Sequence, residues 1–191
     1  MTNVFHSNFS FNSQLWYYYE NNRGKIRSRY NDLTRKFLAY NDKEENPDAF
    51  LRKPQFEALE MYVFVKGFMN NQQVYEMFDD WRNKRGKFSD ASYYAVDKTG
   101  QISIFDAPTE KQTDTLFKQM KKYRESYPNY IYALTMGLGK TILMATCIFY
   151  EFLLANKYPK DKRFCHNALV FAPDKTVLQS LREIMTFDKT K

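Results

Sequence analysis

From Tyr130 to Met144 the chain reads YIYALTMGLGKTILM. The stretch is an apolar run, a turn with glycines at 137 and 139, then Lys140 and Thr141, and then the start of a long apolar segment. This order predicts a strand over Tyr130 to Ala133, a tight turn, and a helix beginning at Ile142. Glycines at 137 and 139 reach backbone angles that side chains disfavour, so successive N–H groups can turn inward and cradle an anion. The helix that follows points its positive end at the same place. Lys140 would set an ammonium on the β and γ phosphates of a nucleotide, and the Thr141 hydroxyl would ligate Mg²⁺, which prefers oxygen donors. Thr135, Met136, Gly137, Leu138 and Gly139 form the wrapping segment, with Lys140 and Thr141 as the candidate catalytic pair. The full phosphate-loop pattern has glycine five residues before Gly139, where this chain has Leu134. What remains is the shorter GxGKT core, and a glycine-rich turn carrying an incidental lysine is the plain alternative.

Downstream come a basic loop from Lys157 to Arg163, an apolar run from Ala168 to Phe171, and a helical pattern from Lys175. Strand and helix alternate, which predicts an α/β arrangement of parallel strands with right-handed crossover helices. Upstream, Gln55 to Phe68 carries Phe56, Leu59, Val63 and Phe64 at helical spacing and reads as a mostly buried helix. Val74, Met77, Phe78 and Trp81 mark an amphipathic helix ending near Gly86, and Leu116, Phe117, Met120 and Tyr123 mark another, stopped near Pro128. Tyr93 to Val96 and Gln101 to Phe105 read as a hairpin around Gly100. Phe5, Phe9, Phe11 and the run Trp16 to Tyr19 read as strand or packing material, with Asn21, Asn22 and Gly24 as the turn afterwards.

The chain has 191 residues, 43 % of them hydrophobic and 18 % aromatic, enough to fill a core and too many for a wholly disordered polymer. Cys147 and Cys165 form no CxxC pair, and His6 and His166 are the only histidines, which excludes a disulfide scaffold and Cys- or His-based metal clusters. No basic segment followed by an apolar run opens the chain, and the stretch from Thr141 to Ala155 is broken by Glu151 and falls short of a bilayer span. A cytoplasmic protein with no membrane partner is expected. The net charge of +7 is uneven, with excesses of +3 over 1–54, zero over 55–156 and +4 over 157–191. Arg23, Lys25, Arg27, Arg29, Arg35 and Lys36 face only Glu20 and Asp32, with Tyr30 and Phe37 among them. Cations interleaved with aromatics suit a nucleic-acid strand, with Arg27 and Arg29 as candidate contacts, although a solvated helix face has the same composition.

Taken together, three segments resemble the first motor domain of superfamily two helicases of the DEAD/DEAH type, and most closely the Res subunits of type III restriction enzymes. Arg52 to Leu59 is similar to the family's glutamine motif, Thr135 to Thr141 to its motif I, and Ala168 to Pro173, running into Val177 and Leu178, to motif Ia. The resemblance implies a partial RecA-like P-loop NTPase domain over 50–191, preceded by an aromatic and basic region over 1–49. A mainly helical insertion at about 70–127 would hold the β-hairpin. It implies ATP and Mg²⁺ as cofactors, Gln55 reading the adenine edge, and Lys175 and Thr176 touching a nucleic-acid backbone. Gln55 could equally be an exposed residue at a helix start, and Asp174 an ordinary helix cap. It implies double-stranded DNA as partner, together with a second motor domain, a nuclease region and a DNA methyltransferase subunit.

No apolar strand ending in Asp-Glu follows Pro173. Without the second Mg²⁺ carboxylate and a water-orienting group, little hydrolysis is expected of this chain alone. It therefore reads as the ATP-binding N-terminal piece of an ATP-driven DNA helicase or translocase. Two competitors remain. A different P-loop enzyme such as a small kinase would need its own acidic residue after the loop, and a non-enzymatic nucleic-acid-binding or interaction module would carry the loop as a vestige.

Overall fold

The computed structural model describes residues 10–92, 108–135 and 137–171. They are helices, turns and irregular connections, and among the described residues there is no β-strand. The chain divides into two compact units, Met1–Tyr30 with Val63–Tyr130, and Asn31–Tyr62 with Ile131–Lys191.

In the first unit, α1 spans Phe11–Arg27, started by Ser10, whose hydroxyl accepts from the Ser13 N–H at 3.4 Å. Phe11, Leu15, Tyr18, Tyr19 and Ile26 are its buried apolar positions, a stripe at helical spacing. Phe11 meets Phe78 edge-on at 5.1 Å, Tyr18 meets Phe88 at 4.9 Å, and Tyr19 meets Phe64 at 5.3 Å. Phe64–Phe68 is a π-helical turn, and α4 follows at Val74–Arg82, burying Met77, Phe78 and Trp81. A helix at Glu110–Lys122, α5, begins on a reciprocal cap: Thr109 N–H donates to Gln112 Oε1 at 2.8 Å and Gln112 N–H to Thr109 Oγ1 at 3.4 Å. It packs on α4, where Arg82 bonds to both Asp79 and Asp114 and lies 4.5 Å from the Phe117 ring centroid.

The second unit holds α2 (Asp32–Asn41), α3 (Lys53–Val63) up to Tyr62, and α6 (Lys140–Lys157). On α6 the buried residues are Leu143, Cys147, Tyr150, Glu151, Leu154 and Ala155, spaced by three and four, so one face of an almost wholly apolar helix is committed to the core. Phe37 of α2 packs on Tyr150 at 5.0 Å, and the Thr34 and Tyr150 hydroxyls are 2.9 Å apart. On the α3 side, Tyr62 donates its hydroxyl to Glu151 Oε1 at 2.8 Å. Among the described residues no helix is long and apolar enough to cross a membrane.

These helices bear out the helical patterns at Gln55 to Phe68, Val74 to Trp81 and Leu116 to Met120 and the long helix after the glycine turn, but α4 stops at Arg82 rather than near Gly86 and α5 at Lys122 rather than near Pro128. The α/β expectation is overturned. The segment expected as a strand at Tyr130 to Ala133, and the one at Ala168 to Phe171, take no regular secondary structure and belong to no ladder. Their apolar side chains stay in solvent, with Ile131 94 %, Leu169 80 % and Phe171 85 % exposed. An apolar run becomes a strand only when a neighbour satisfies its N–H and C=O groups, and no such pairing is present among the described residues. The partial RecA-like sheet with crossover helices is therefore not seen among the described residues. Of the two readings of Phe11 and Trp16 to Tyr19, packing material is borne out by the burial of Phe11, Tyr18 and Tyr19, and strand is not: the run is helix, and Asn21, Asn22 and Gly24 lie within it rather than in a turn. The hairpin over 93–105, Phe5, Phe9 and the helix from Lys175 lie outside the described residues.

Candidate phosphate-binding loop

The glycine turn caps α6. Gly137 has φ +77° and Gly139 φ +64°, both left-handed, where L side chains are disfavoured. Leu138 N–H closes the turn on the Thr135 carbonyl at 3.3 Å, and the Gly139 carbonyl accepts from Ile142 and Leu143, each at 3.1 Å. The amides of Gly139, Lys140 and Thr141 donate to no acceptor among the described residues. They are the orphan donors that every helix start leaves, set at the positive end of an 18-residue helix.

Gln55 holds this turn from α3. It is buried, its Nε2 donates to the Gly139 carbonyl at 3.1 Å, and its Oε1 accepts from Arg52 N–H at 2.8 Å. Both ends of the amide are thereby engaged within the protein. A Cβ added at Gly139 would come within 2.6 Å of Gln55 Nε2, whereas one at Gly137 meets nothing within 4 Å. One glycine is required by close packing as well as by angle, and the other by angle alone.

Lys140 and Thr141, adjacent in sequence, border different cavities. Lys140 lines a cavity of about 430 Å³ with Tyr62, Tyr132, Leu134, Cys147 and Glu151. Thr141 and Gly139 line another of about 850 Å³ with Phe37, Tyr40, Phe50 and Phe149. The exposed Lys140 ammonium donates to the Thr135 carbonyl at 3.1 Å, back across its own loop. Of the sequence candidates, the structure thus brings together Gln55, Thr135, Leu138, Gly139 and Lys140 by hydrogen bonds or contact, with Gly137 and Thr141 alongside. Met136, Lys175 and Thr176 lie outside the described residues. In the other unit, Arg27 closes α1 half-buried, while exposed Arg29 stands 5.9 Å from the Phe68 ring centroid.

A group missed in the sequence reading is Glu151, noted only as a break in an apolar run. Its carboxylate is buried, accepting from Tyr62 Oη and, at 3.3 Å, from Cys165 N–H. A charge that survives in a long apolar stretch needs such partners, and that was the available signal. Burial pushes the Cys147 thiol and the Tyr150 hydroxyl each up to about 12, and raises Tyr62 further, with the Glu151 charge adding to the rise in all three.

Among the described residues no three His, Cys, Asp or Glu side chains gather as a metal site. Mg²⁺ carried by a nucleotide makes no such demand, since phosphate oxygens, waters and one hydroxyl satisfy it. The orphan amides of the helix start, the left-handed glycines and the Thr141 hydroxyl fit a magnesium-bound phosphate tail. Comparison with protein-family models, curated proteins and solved structures found no match to this chain.

Proposed function

We propose that residues 134–141 and the start of α6 bind the phosphates of ATP with Mg²⁺, as the nucleotide-binding element of an ATP-driven DNA translocase. The observation that carries the reading is the pair of left-handed glycines, 137 and 139, set directly before a long helix, whose first amides a helix start leaves without partners of its own. The order of the Gln55, Lys140 and Ala168 segments supports the translocase, and the two free cysteines support a reducing, cytoplasmic setting. Bound Mg²⁺ would neutralise phosphate charge. The chain's own part is positional: amides at 139–141 donate to phosphate oxygens, Gln55 fixes the Gly139 carbonyl, and Lys140 exchanges the Thr135 carbonyl for an anion. Gln55 acts here as a positioning residue for the loop, since its amide is already engaged on both sides.

The test is nucleotide affinity of the whole chain. Loss of a charge-assisted contact costs about 1.5–3 kcal/mol, so Lys140→Ala should weaken MgATP binding by roughly ten- to a hundredfold. Unchanged affinity would remove the assignment. The second reading, a nucleic-acid-binding module with an idle loop, is favoured by one observation, the Lys140 ammonium resting on its own loop carbonyl.

A further inference from the structure

Over 118–127 the first unit carries Lys118, Lys121, Lys122 and Arg124 against a single carboxylate, Glu125. All five charged side chains are exposed, and none of the four cations pairs with a carboxylate among the described residues. Lys118 shares a helix face with Lys121 and Lys122 at spacings of three and four, which sets like charges side by side and disfavours the helix. Cations in a last helical turn complement its negative end, and that accounts for part of the composition. It does not account for the rings. Tyr123 is 73 % and Tyr127 59 % exposed, interleaved with the cations. Lys122 Nζ lies 5.2 Å from the Tyr123 ring centroid, and Arg124 Cζ 5.8 Å from that of Tyr75. Arg124 is drawn back toward the helix end by donating to the Lys121 carbonyl at 2.7 Å.

We infer that the end of α5 and the residues following it form a binding site for single-stranded nucleic acid, with phosphates on Lys118, Lys121, Lys122 and Arg124 and a base stacked on Tyr123 or Tyr127. Repelling cations beside uncovered rings match the two chemistries of a strand, a polyanionic backbone and flat bases. A bilayer surface shares the charge but requires an apolar anchor, and the exposed residues over 118–127 are Tyr, Lys, Arg, Gln, Glu and Ser, with no Leu, Ile or Trp among them. The translocase reading expects double-stranded DNA as partner, whereas this inference concerns a single strand and uses no residue of the nucleotide loop.

Binding of a fluorescently labelled oligothymidylate, followed by anisotropy against salt, tests it. Lys121→Ala with Lys122→Ala and Arg124→Ala should weaken binding about tenfold or more and lower the salt slope by about 2, from roughly 0.7 per lost phosphate contact. Tyr123→Ala should weaken it about fivefold or more, with Tyr123→Phe close to the parent. The charge-preserving set Lys121→Arg, Lys122→Arg and Arg124→Lys should bind as the parent does, which separates charge from folding. Unchanged affinity and slope in the triple alanine variant overturns the inference, and so does capture by phosphatidylserine vesicles in place of the oligonucleotide. MgATP affinity of the same variant keeps the two readings apart. Lost strand binding with intact MgATP binding supports this site, and intact strand binding alongside a Lys140→Ala nucleotide defect sinks it alone.

Discussion

Replacing Gly139 by alanine should be far more costly than the same change at Gly137, although both glycines have positive φ. At Gly137 the added methyl meets nothing within 4 Å, so only the left-handed angle is penalised, by about 1–2 kcal/mol. At Gly139 the same angular cost applies and the methyl also arrives 2.6 Å from Gln55 Nε2. The Gln55 amide must then move, breaking its 3.1 Å bond to the Gly139 carbonyl and leaving a buried polar group unsatisfied, which costs about 1–3 kcal/mol more. Gly139→Ala is therefore expected to cost about 2–5 kcal/mol, against about 1–2 for Gly137→Ala. Both tryptophans, Trp16 and Trp81, belong to the first unit, so their fluorescence is the wrong probe for the loop. Urea unfolding followed by hydrogen exchange of α6 peptides reports on the correct unit. If Gly139→Ala loses no more stability than Gly137→Ala, the role of Gln55 as the brace of the turn is refuted.

Removing the Tyr62 hydroxyl with Tyr62→Phe takes one donor from the buried Glu151 carboxylate and should cost about 1.5–3 kcal/mol in urea melts; a loss within experimental error would mean the carboxylate is otherwise satisfied. Cys147 and Tyr150 have protonation equilibria raised from 9.0 and 10.0 to about 12 in the folded chain. At these two sites the folded state therefore holds more protons than the unfolded state between those limits, so their contribution to stability is constant below pH 9 and falls as pH climbs toward 12; a contribution that rose there would contradict the burial account. At pH 8 a thiol reagent should modify exposed Cys165 quickly and buried Cys147 only on unfolding, and equal rates would show that α6 is not packed on that face.

What was legible in the sequence was local. The stripe on α6 from Leu143 to Ala155 and those on α3 and α4 repeat at the helical period, and the helices are where that period puts them. Phe11 and Trp16 to Tyr19 misled because aromatic residues favour strands intrinsically, and only tertiary packing of Phe11 on Phe78 and Tyr19 on Phe64 selects the helix. The sheet failed for a related reason. Whether Tyr130 to Ala133 is a strand depends on a partner distant in sequence, and hydrophobicity alone does not supply one. At the loop, residue types anticipated the left-handed turn and the helix start, but not that Gln55 has its amide engaged by Arg52 and Gly139, nor that Glu151 is a buried acceptor.

The measurement closest to the central claim is amide hydrogen exchange across 137–143, with and without MgATP. The account predicts slower exchange of the Gly139, Lys140 and Thr141 amides on adding nucleotide, and loss of that protection in Lys140→Ala. Protection that is absent there, or that appears only elsewhere in the chain, would contradict it.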